Sequence, residues 1–323
     1  MTVSFFDTTE VEQALFVSLL PRGHTLLFHT GSLTKVHARA IKDTDILYVR
    51  SFSHVTTDIL RLLPGVKFIA TRSTGFDHID IGFCKHQGII VSNVPSYASN
   101  AVAEHTFGLL LALAHNIVVC ADYTRNGSFA VGQEGFEISG KTMGIVGLGN
   151  IGARVAQIAK GFGMHVIVTT KHPSSERAKE HGVIFVDLTT LLVKSDVVSF
   201  HVPLNQKTYH VLNMGNISII KKGGILLNTS RGEVVEARAI FWALTKGLLA
   251  GAGLDVLEDE QSLKKRNDQS PLAIVNRRLM ADERVLVTPH NAYHTKEAID
   301  TILRLSAENI KAFIKNKPIN RVC

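Results

Sequence analysis

Short apolar runs of strand length alternate with amphipathic stretches over the first hundred residues. The apolar runs are Val3–Phe6, Thr25–Phe28, Asp45–Val49, Lys67–Ala70 and Gly88–Ser92. Between them, Val11–Leu20 and Val55–Leu63 have helical spacing, and Asp7 followed three residues later by Glu10 predicts a helix N-cap. Nearly continuous apolar strands separated by helices are typical of a parallel sheet covered on both faces. The pattern therefore predicts an α/β fold.

The pattern changes at Asn100, where an apolar stretch predicts one long helix that ends at about Tyr123. A helix that is apolar nearly all round is buried, either in the fold or against another subunit. After the polar, Gly-containing segment Asn126–Gly140, a second alternating series begins. Its strand candidates are Thr142–Gly147, His165–Thr169, Val183–Val186, Val197–His201, Ile225–Asn228, Ala250–Val256 and Val285–Thr288. The polar stretch Asp259–Ser270 predicts a surface loop, and a last helix is predicted at about Thr295–Lys315.

Length and composition narrow the class of protein. The chain has 323 residues, enough for two domains or one large one, and 45% hydrophobic against 20% charged residues excludes global disorder. The longest apolar run, Thr106–Cys120, is shorter than the ~20 residues of a membrane span. The N-terminus does not show the pattern of a signal peptide, and three scattered cysteines predict neither a disulfide framework nor a metal site. We expect a cytoplasmic protein that binds neither a metal nor a membrane.

The charge balance bears on the kind of ligand. The formal net charge of +7 permits a nucleic-acid partner without requiring one. The basic residues are scattered, and their densest cluster, Lys264–Arg266, predicts a solvated loop. A basic enzyme with an anionic substrate and an anionic cofactor would show the same balance, because its field draws anions to the site. We therefore expect small anionic ligands and no nucleic acid.

A glycine motif opens the second series. Gly147, Gly149 and Gly152 stand in the pattern G-x-G-x-x-G, with Asn150 and Ile151 before the last glycine. An apolar strand precedes the motif and an amphipathic helix follows it, which is the context of a dinucleotide-binding loop. The glycines permit a tight turn, a close approach to a pyrophosphate and close packing of helix on strand. The motif predicts a site for NAD or NADP at the helix N-terminus.

The end of the next strand bears on the choice between these two cofactors. An acidic residue that binds both ribose hydroxyls is expected roughly 20 residues past the loop, where the chain has Thr170. Without that acid, the 2′-phosphate of NADP would meet no fixed negative charge, and Lys171 could attract it, with Thr170, Ser174 and Ser175 as donors. The missing acid favours NADP. An NAD site that has lost its acid is the alternative.

Three polar segments follow later strands, at the edge where a doubly wound sheet places its ligand crevice. They contain Arg231, the acidic run from Asp255 to Glu260, and His290. An arginine can hold the carboxylate of a 2-keto acid and polarise its ketone, and a histidine can protonate the developing alkoxide. A carboxylate beside the histidine would keep it protonated near neutral pH. This set suits the reduction of a 2-keto acid.

The chain resembles the D-isomer-specific 2-hydroxyacid dehydrogenase family over nearly its whole length. Besides the glycine motif and the three polar segments, the resemblance covers Ser73–Asp80, Asn93–Tyr97, Ala101–His105 and His201–Leu204. It implies two doubly wound parallel-sheet domains. A Rossmann cofactor domain, residues 100–290, would be inserted in a flavodoxin-like substrate domain, residues 1–99 and 291–323. It also implies a homodimer formed through the helix that starts near Asn100.

The resemblance implies catalytic roles for three residues. Arg231 would bind the carboxylate and carbonyl of the substrate. His290 would be the acid–base group and Glu260 its partner, with Glu258 and Asp259 as competing carboxylates in the same run.

Further residues are implied in binding. Thr74 and Gly75 would offer backbone N–H groups to the substrate, with Tyr97 either nearby or used in packing. His105, beside Glu104 on the predicted buried helix, is expected to be structural. The cofactor cleft would be lined, besides the glycine motif, Thr170 and Lys171, by His201, Val202, Pro203, Thr208, Thr229 and Asp255, the last near the nicotinamide.

Two departures from the family pattern bear on the substrate and the cofactor. Thr170 replaces the acid, and Glu260 is followed by Gln261 and a long polar loop rather than by proline. That loop, together with Pro289–Tyr293, favours the D-lactate dehydrogenase branch. We expect NAD(P)H-dependent reduction of pyruvate to D-lactate. The alternatives are a reductase of glyoxylate, hydroxypyruvate or branched 2-keto acids, and a cofactor-sensing corepressor or scaffold, against which the intact catalytic set argues.

Overall fold

The computed structural model describes residues 1–129, 132, 134–263 and 268–323, with the backbone alone for Gln261. The chain forms two compact units, one made of Met1–Tyr97 and Thr295–Cys323, the other of Ala98–His294. Each predicted strand overlaps an observed one. The predicted basic cluster of residues 264–266 lies outside the described residues.

The first unit contains a five-stranded parallel sheet. Its strands are β1 (Thr2–Phe5), β2 (Thr25–Phe28), β3 (Ile46–Val49), β4 (Phe68–Thr71) and β5 (Ile90–Ser92). They are arranged in the order β2-β1-β3-β4-β5, which is the flavodoxin-like order. The helices are α1 (Glu10–Leu19), α2 (Lys35–Ala40), α3 (Thr57–Leu60), α4 (Ile81–Gln87) and α13 (Lys296–Ile314).

Helices cover both faces of this sheet, which explains its apolar strands. Alternate residues of β3 point to opposite faces. Ile46 and Tyr48 belong to the hydrophobic cluster that contains Phe16 of α1 and residues of α13. Leu47 and Val49 belong to the cluster on the other face, together with residues of α2, α3 and α4. All four residues of β3 are buried, so the strand reads as a continuous apolar run.

The predicted N-cap of the first helix is wrong by two residues. Thr9 caps α1: its hydroxyl accepts from the backbone N–H of Glu12, and the Glu12 carboxylate accepts from the backbone N–H of Thr9. Asp7 lies before the helix in a left-handed conformation with φ 57°, and its carboxylate accepts from the hydroxyls of Ser32 and Ser53. The carboxylate is therefore used to hold two loops, not to cap the helix.

The second unit contains a seven-stranded parallel sheet. Its strands are β6 (Thr142–Val146), β7 (His165–Thr169), β8 (Ile184–Phe185), β9 (Val197–Phe200), β10 (Gly224–Asn228), β11 (Leu249–Leu254) and β12 (Val285–Val287). The order is β12-β11-β10-β9-β6-β7-β8. Counted from β6, this is the Rossmann order 3-2-1-4-5-6 with one further strand at the edge. The predicted fold class is confirmed for both units.

Eight α-helices surround this sheet in the described residues. They are α5 (Ser99–Ala114), α6 (Ile117–Arg125), α7 (Asn150–Gly161), α8 (Ser175–His181), α9 (Leu188–Lys194), α10 (Ala237–Thr245), α11 (Glu260–Leu263) and α12 (Pro271–Ala281). Residues of α5 and α7 pack on one face, and residues of α9, α10 and α12 on the other. The predicted surface loop at 259–270 is wrong in part, because it contains α11, in which Ser262 is buried.

The single long helix predicted from Asn100 to Tyr123 is wrong. It is broken at Asn116, whose φ of 51° is left-handed, so that α5 and α6 meet at an angle of 64°. Asparagine tolerates the left-handed conformation better than most residues. A residue in this conformation interrupts a right-handed helix. α5 lies in the core, whereas none of the residues of α6 is buried. Among the described residues, no single helix is long and apolar enough to cross a membrane. The bent pair α5 and α6, taken together, is the one combination of these residues that reaches the length and apolar composition of a span.

Candidate active site

The glycine motif forms the turn between β6 and α7. Gly147 has a φ of 101°, and a Cβ atom there would lie 2.5 Å from the carbonyl oxygen of His201. A Cβ atom at Gly152 would overlap the carbonyl oxygen of Gly147, whereas the space beside Gly149 is open for at least 4 Å. The first and third glycines therefore permit close packing, and the second leaves room for a ligand. Asn150 and Ile151 begin α7, so its free N–H groups face that room. This loop fits a dinucleotide pyrophosphate.

Thr170 follows β7 and borders a cavity of about 590 Å³. The cavity is lined by Thr170, Pro173, Phe185, Val186, Asp187 and Thr190. Hydrogen bonds from the backbone and side chain of Thr190 lower the pKa of Asp187, so this carboxylate is ionised near neutral pH. The expectation that no fixed negative charge lies near Thr170 is therefore wrong. The carboxylate comes from the N-cap of α9, which the spacing from the glycine motif does not indicate.

Two basic residues, Lys171 and Arg177, follow Thr170 along the chain. Lys171 is exposed, so its ammonium group is accessible to a phosphate in solution. Arg177 was not expected: its guanidinium donates to the carbonyl oxygens of Leu148 in the glycine loop and of His172. Arg177 thereby joins the glycine loop to the loop after β7. Its position in the first turn of α8 is the only sequence signal, and that signal is weak.

The loop after β9 contains the next cofactor candidates. His201 Nε2 is hydrogen-bonded to Ser199 Oγ at 2.8 Å. Burial lowers the pKa of His201 to about 3, so the imidazole is neutral. Among the described residues, its buried Nδ1 has no hydrogen-bond partner. Val202 lies against Gly147. Thr208 donates to the carbonyl oxygen of Pro203, so that its hydroxyl stabilises this loop.

The turn after β10 carries Arg231 and is tightly held. The Asn228 side chain accepts from the Ser230 backbone and hydroxyl, and donates to the carbonyl oxygen of Arg231. Thr229 is buried and bonded through its hydroxyl to Thr106 of α5, at 3.0 Å. At Gly232, a Cβ atom would overlap the backbone of residues 257 and 258. The Arg231 turn therefore packs directly on the acidic segment.

One carboxylate of the acidic run faces the candidate acid–base group. His290 Nδ1 lies 3.0 Å from Glu260 Oε2, and both side chains are partly exposed. Glu258 instead bonds His210 Nε2 at 2.7 Å and the backbone N–H of Ala237. Asp259 is exposed. The structure thus brings Glu260, and not its two neighbours, to His290.

Asp255 organises the loop that carries His290. It is buried, and its carboxylate accepts from Thr288 Oγ1 at 2.6 Å and from the backbone N–H groups of Asn291 and Ala292 at 3.0 and 2.9 Å. His290 itself has a left-handed φ of 52°. Three hydrogen bonds to the Asp255 carboxylate hold the residues on both sides of His290 and so stabilise this uncommon conformation.

The substrate candidates of the first unit lie in the loop after β4. The carbonyl oxygen of Ser73 accepts from the N–H of Val94, and that of Thr74 accepts from Asn93 Nδ2. In a trans peptide, C=O and N–H point in opposite directions, so the N–H groups of Thr74 and Gly75 both point away from residues 93 and 94. Two such amides suit an anion.

Tyr97 is the last of the expected substrate residues. Tyr97 packs, partly buried, against the hydrophobic cluster that contains Val94. Within the described ranges, no three His, Cys, Asp or Glu side chains are grouped as a metal site.

Comparisons with known proteins identify the family of this chain. The family model described as "D-isomer specific 2-hydroxyacid dehydrogenase, NAD binding domain" matches residues 107–292. The chain belongs to the D-isomer-specific 2-hydroxyacid dehydrogenase family. The matched residues fall inside the second unit, which is therefore the NAD-binding domain of this oxidoreductase family.

Individual family members are similar over most of the chain. The chain is 38% identical to the D-lactate dehydrogenase of Escherichia coli over 257 residues, 78% of each protein. It is 36% identical to a glyoxylate reductase of Thermococcus litoralis over 285 residues, 86% of this chain and 82% of that enzyme. The D-lactate dehydrogenase of Aquifex aeolicus, solved with NAD and lactic acid, superposes with a TM-score of 0.91 at 33% identity, covering 98% of this chain and 96% of that one.

Proposed function

We propose that this dehydrogenase reduces a small 2-keto acid to the D-2-hydroxy acid, with pyruvate and D-lactate as the principal pair. The observation that carries the proposal is the His290–Glu260 pair beside the Arg231 turn. Support for the substrate comes from the Aquifex enzyme that was solved with lactic acid and from the E. coli D-lactate dehydrogenase.

His290 acts as the proton donor. Its Nδ1 is bonded to Glu260, which leaves Nε2 for the ketone oxygen. The Glu260 carboxylate stabilises the imidazolium and fixes the ring orientation. When bound, the reduced nicotinamide supplies the hydride that reaches C2 of the keto acid. His290 gives its proton to the ketone oxygen as negative charge develops there, and Glu260 keeps the ring oriented throughout.

Arg231 holds the substrate. A guanidinium offers two parallel N–H groups to a carboxylate and can polarise the neighbouring ketone. The backbone N–H groups of Thr74 and Gly75 are the second group of donors that we assign to the substrate carboxylate, and the first unit is then the substrate domain. Because its side chain packs in the core, we place Tyr97 at the margin of this site rather than on the substrate.

Glyoxylate is the second candidate substrate. The glyoxylate reductases of Thermococcus litoralis and Korarchaeum cryptofilum are each 36% identical to this chain. Glyoxylate differs from pyruvate by one methyl group, so the catalytic residues serve either substrate and the difference lies in the pocket for that methyl group. A group of this size changes kcat/KM by about 10- to 200-fold.

We also propose NADPH as a cofactor alongside NADH, and a homodimer. Lys171 supports NADPH through its positive charge, while Asp187 opposes it. The dimer would use the α5–α6 region, where Ile117, Val118 and Tyr123 of α6 are exposed apolar side chains. Light scattering of the purified protein measures the dimer directly.

A panel of keto acids tests the proposed reaction. Absorbance at 340 nm follows NADH and NADPH with pyruvate, glyoxylate, hydroxypyruvate and a branched 2-keto acid, and chiral analysis identifies the product. We expect turnover with pyruvate to D-lactate. A higher kcat/KM with glyoxylate than with pyruvate would identify glyoxylate as the preferred substrate. Cofactor binding without turnover of any keto acid overturns the proposal in favour of a cofactor-sensing scaffold.

A further inference from the structure

His105 of α5 reaches the loop that carries the proposed proton donor. Its Nε2 lies 2.9 Å from Thr288 Oγ1 and 3.6 Å from Asp255 Oδ1. Thr288 Oγ1 lies 2.6 Å from the same carboxylate oxygen. The three side chains therefore form a continuous chain from the core helix α5 to the ends of β11 and β12.

The direction of these hydrogen bonds follows from the donors available. The Asp255 carboxylate already accepts from the backbone N–H groups of Asn291 and Ala292, and it has no proton to give. The single hydroxyl proton of Thr288 must therefore go to Asp255. Thr288 Oγ1 is then left as an acceptor, and His105 must donate to it. His105 is consequently protonated at Nε2.

The same groups fix the backbone of His290. Its N–H donates to the carbonyl oxygens of Asp255 and Thr288 at 2.8 and 2.9 Å. With a φ of 52°, this residue is in a left-handed region that a histidine rarely adopts, so the surrounding contacts must hold it there. Loss of the contact that orders Thr288 and Asp255 would release part of this restraint, and the His290 ring would turn away from its place beside Glu260.

We propose that His105 is a positioning residue for the proton transfer: its Nε2–H orients the Thr288 hydroxyl, and through Asp255 it holds His290 in the geometry that the reaction needs. This inference rests on the proposed function, in which His290 is the proton donor. It replaces the sequence expectation that His105 is only structural. His105 touches no reacting atom, so it acts through the Thr288–Asp255 pair.

Two variants separate the hydrogen bond from the packing. In His105→Gln, the amide nitrogen can occupy nearly the place of Nε2 and donate to Thr288. In His105→Leu, a side chain of similar volume has no donor. Glu104→Gln is the matched control, because Glu104 is the exposed neighbour on the same helix. Each variant is compared with the wild type in kcat, KM, NADH affinity by fluorescence titration, and melting temperature.

We expect kcat to fall by about 10- to 100-fold in His105→Leu, the range of a small misplacement of a catalytic group. NADH affinity should stay within about twofold, since the glycine loop is untouched. His105→Gln should recover most of the lost kcat, and Glu104→Gln should behave as the wild type. A wild-type kcat in His105→Leu overturns the inference, as does an equal loss in both His105 variants.

Hydrogen exchange gives a readout that does not depend on turnover. Amides of residues 288–292 should exchange faster in His105→Leu than in the wild type and His105→Gln. Unchanged exchange in this segment contradicts the positioning role. If the wild type reduces none of the keto acids, the proposed function fails, while the exchange comparison still decides whether His105 orders this loop.

Discussion

His290 Nδ1 lies 3.0 Å from Glu260 Oε2, while the carboxylate of Glu258, two residues earlier, is bonded to His210. This arrangement engages one ring nitrogen of His290, and in the reaction that we propose the other ring nitrogen serves the ketone oxygen. Because Glu260 bonds His290 and Glu258 bonds His210, variants of the two glutamates can test the role of His290 as proton donor.

Replacing His290 by alanine should abolish most ketone reduction. The side chain supplies the proton, and general acid catalysis contributes about 10²–10⁴-fold to the rate. We expect kcat to fall within that range while the dissociation constant for NADH stays near the wild-type value. His294→Ala is the control, because His294 is exposed on the same loop. Near-wild-type kcat in His290→Ala would mean that the proton comes from another group.

Glu260→Gln and Glu258→Gln should have opposite signatures. Loss of the Glu260 charge removes the group that stabilises the imidazolium of His290, so kcat should fall by about 10- to 100-fold with little change in melting temperature. Loss of the Glu258 charge weakens its bonds to His210 and to the N–H of Ala237, which should lower the melting temperature more than kcat. Kinetics and thermal unfolding on both variants decide. The assignment is contradicted if Glu258→Gln is the variant that loses kcat.

That distinction could not be made from the sequence. Three carboxylates fall within Glu258–Glu260, and their spacing from Asp255 does not say which one faces His290. In the structure, Gly232 lets the Arg231 turn pack against the backbone of residues 257 and 258, and the Glu258 carboxylate bonds His210. The contact is between segments far apart in the chain, so no local pattern reveals it.

Other elements were predictable because a local pattern decides them. The buried strand β3 and the glycine loop follow from apolar continuity and from steric needs within a few residues. The break at Asn116 was not predictable in this way, since the apolar pattern continues from α5 into α6 and, of the two residues between them, only Asn116 is left-handed. Asp187 was missed for a similar reason: it caps α9 and enters the site from a neighbouring strand connection.

Arg231→Lys should be nearly as damaging as Arg231→Ala. A lysine keeps the charge but offers a point charge on a flexible stem, so it cannot reproduce two parallel hydrogen bonds to a carboxylate. We expect a higher KM for the keto acid and a lower kcat in both variants, with kcat/KM reduced by about 10²-fold or more. Steady-state kinetics with pyruvate measure this. A lysine variant with wild-type constants would show that Arg231 does not hold the substrate carboxylate.

Asp196 should make the protein more stable at neutral than at acidic pH. Burial opposes its ionisation, but hydrogen bonds from Lys221 and from the backbone N–H of Thr142 outweigh burial and lower its pKa. A lowered folded-state pKa contributes stability above the unfolded value of about 3.9, and this stability is lost as the pH falls through the folded-state pKa.

Asp196→Asn should therefore lower the melting temperature by about 2–4 °C at pH 7, and the difference from the wild type should shrink toward pH 3. Asp122→Asn is the control, because the Asp122 carboxylate pairs with Arg125 on the exposed surface. Thermal unfolding of the three proteins at pH 7, 5 and 3 measures the effect. A difference that is constant across this range would mean that ionisation of Asp196 does not contribute.

Cofactor choice should depend on the balance of charges around Thr170. An aspartate at this position would bind the ribose hydroxyls of NADH and repel the 2′-phosphate of NADPH. Thr170→Asp should therefore shift the ratio of kcat/KM toward NADH by about 1–3 kcal/mol. Asp187→Asn should shift it toward NADPH, since it removes a carboxylate that lines this cavity while an asparagine still caps α9.

In the wild type we expect NADPH to be used at a rate comparable to that of NADH or better, because Lys171 and the absence of an acid at Thr170 offset Asp187. Added salt should weaken NADPH use more than NADH use, since the extra phosphate adds charge interactions that salt screens. The measurement is kcat/KM for both cofactors in the wild type and the two variants, at low and high salt. A wild-type preference for NADH of more than about a hundredfold, equivalent to about 2.7 kcal/mol, would contradict this prediction. Asp187 would then be the residue that excludes the 2′-phosphate, and Asp187→Asn should relieve that preference.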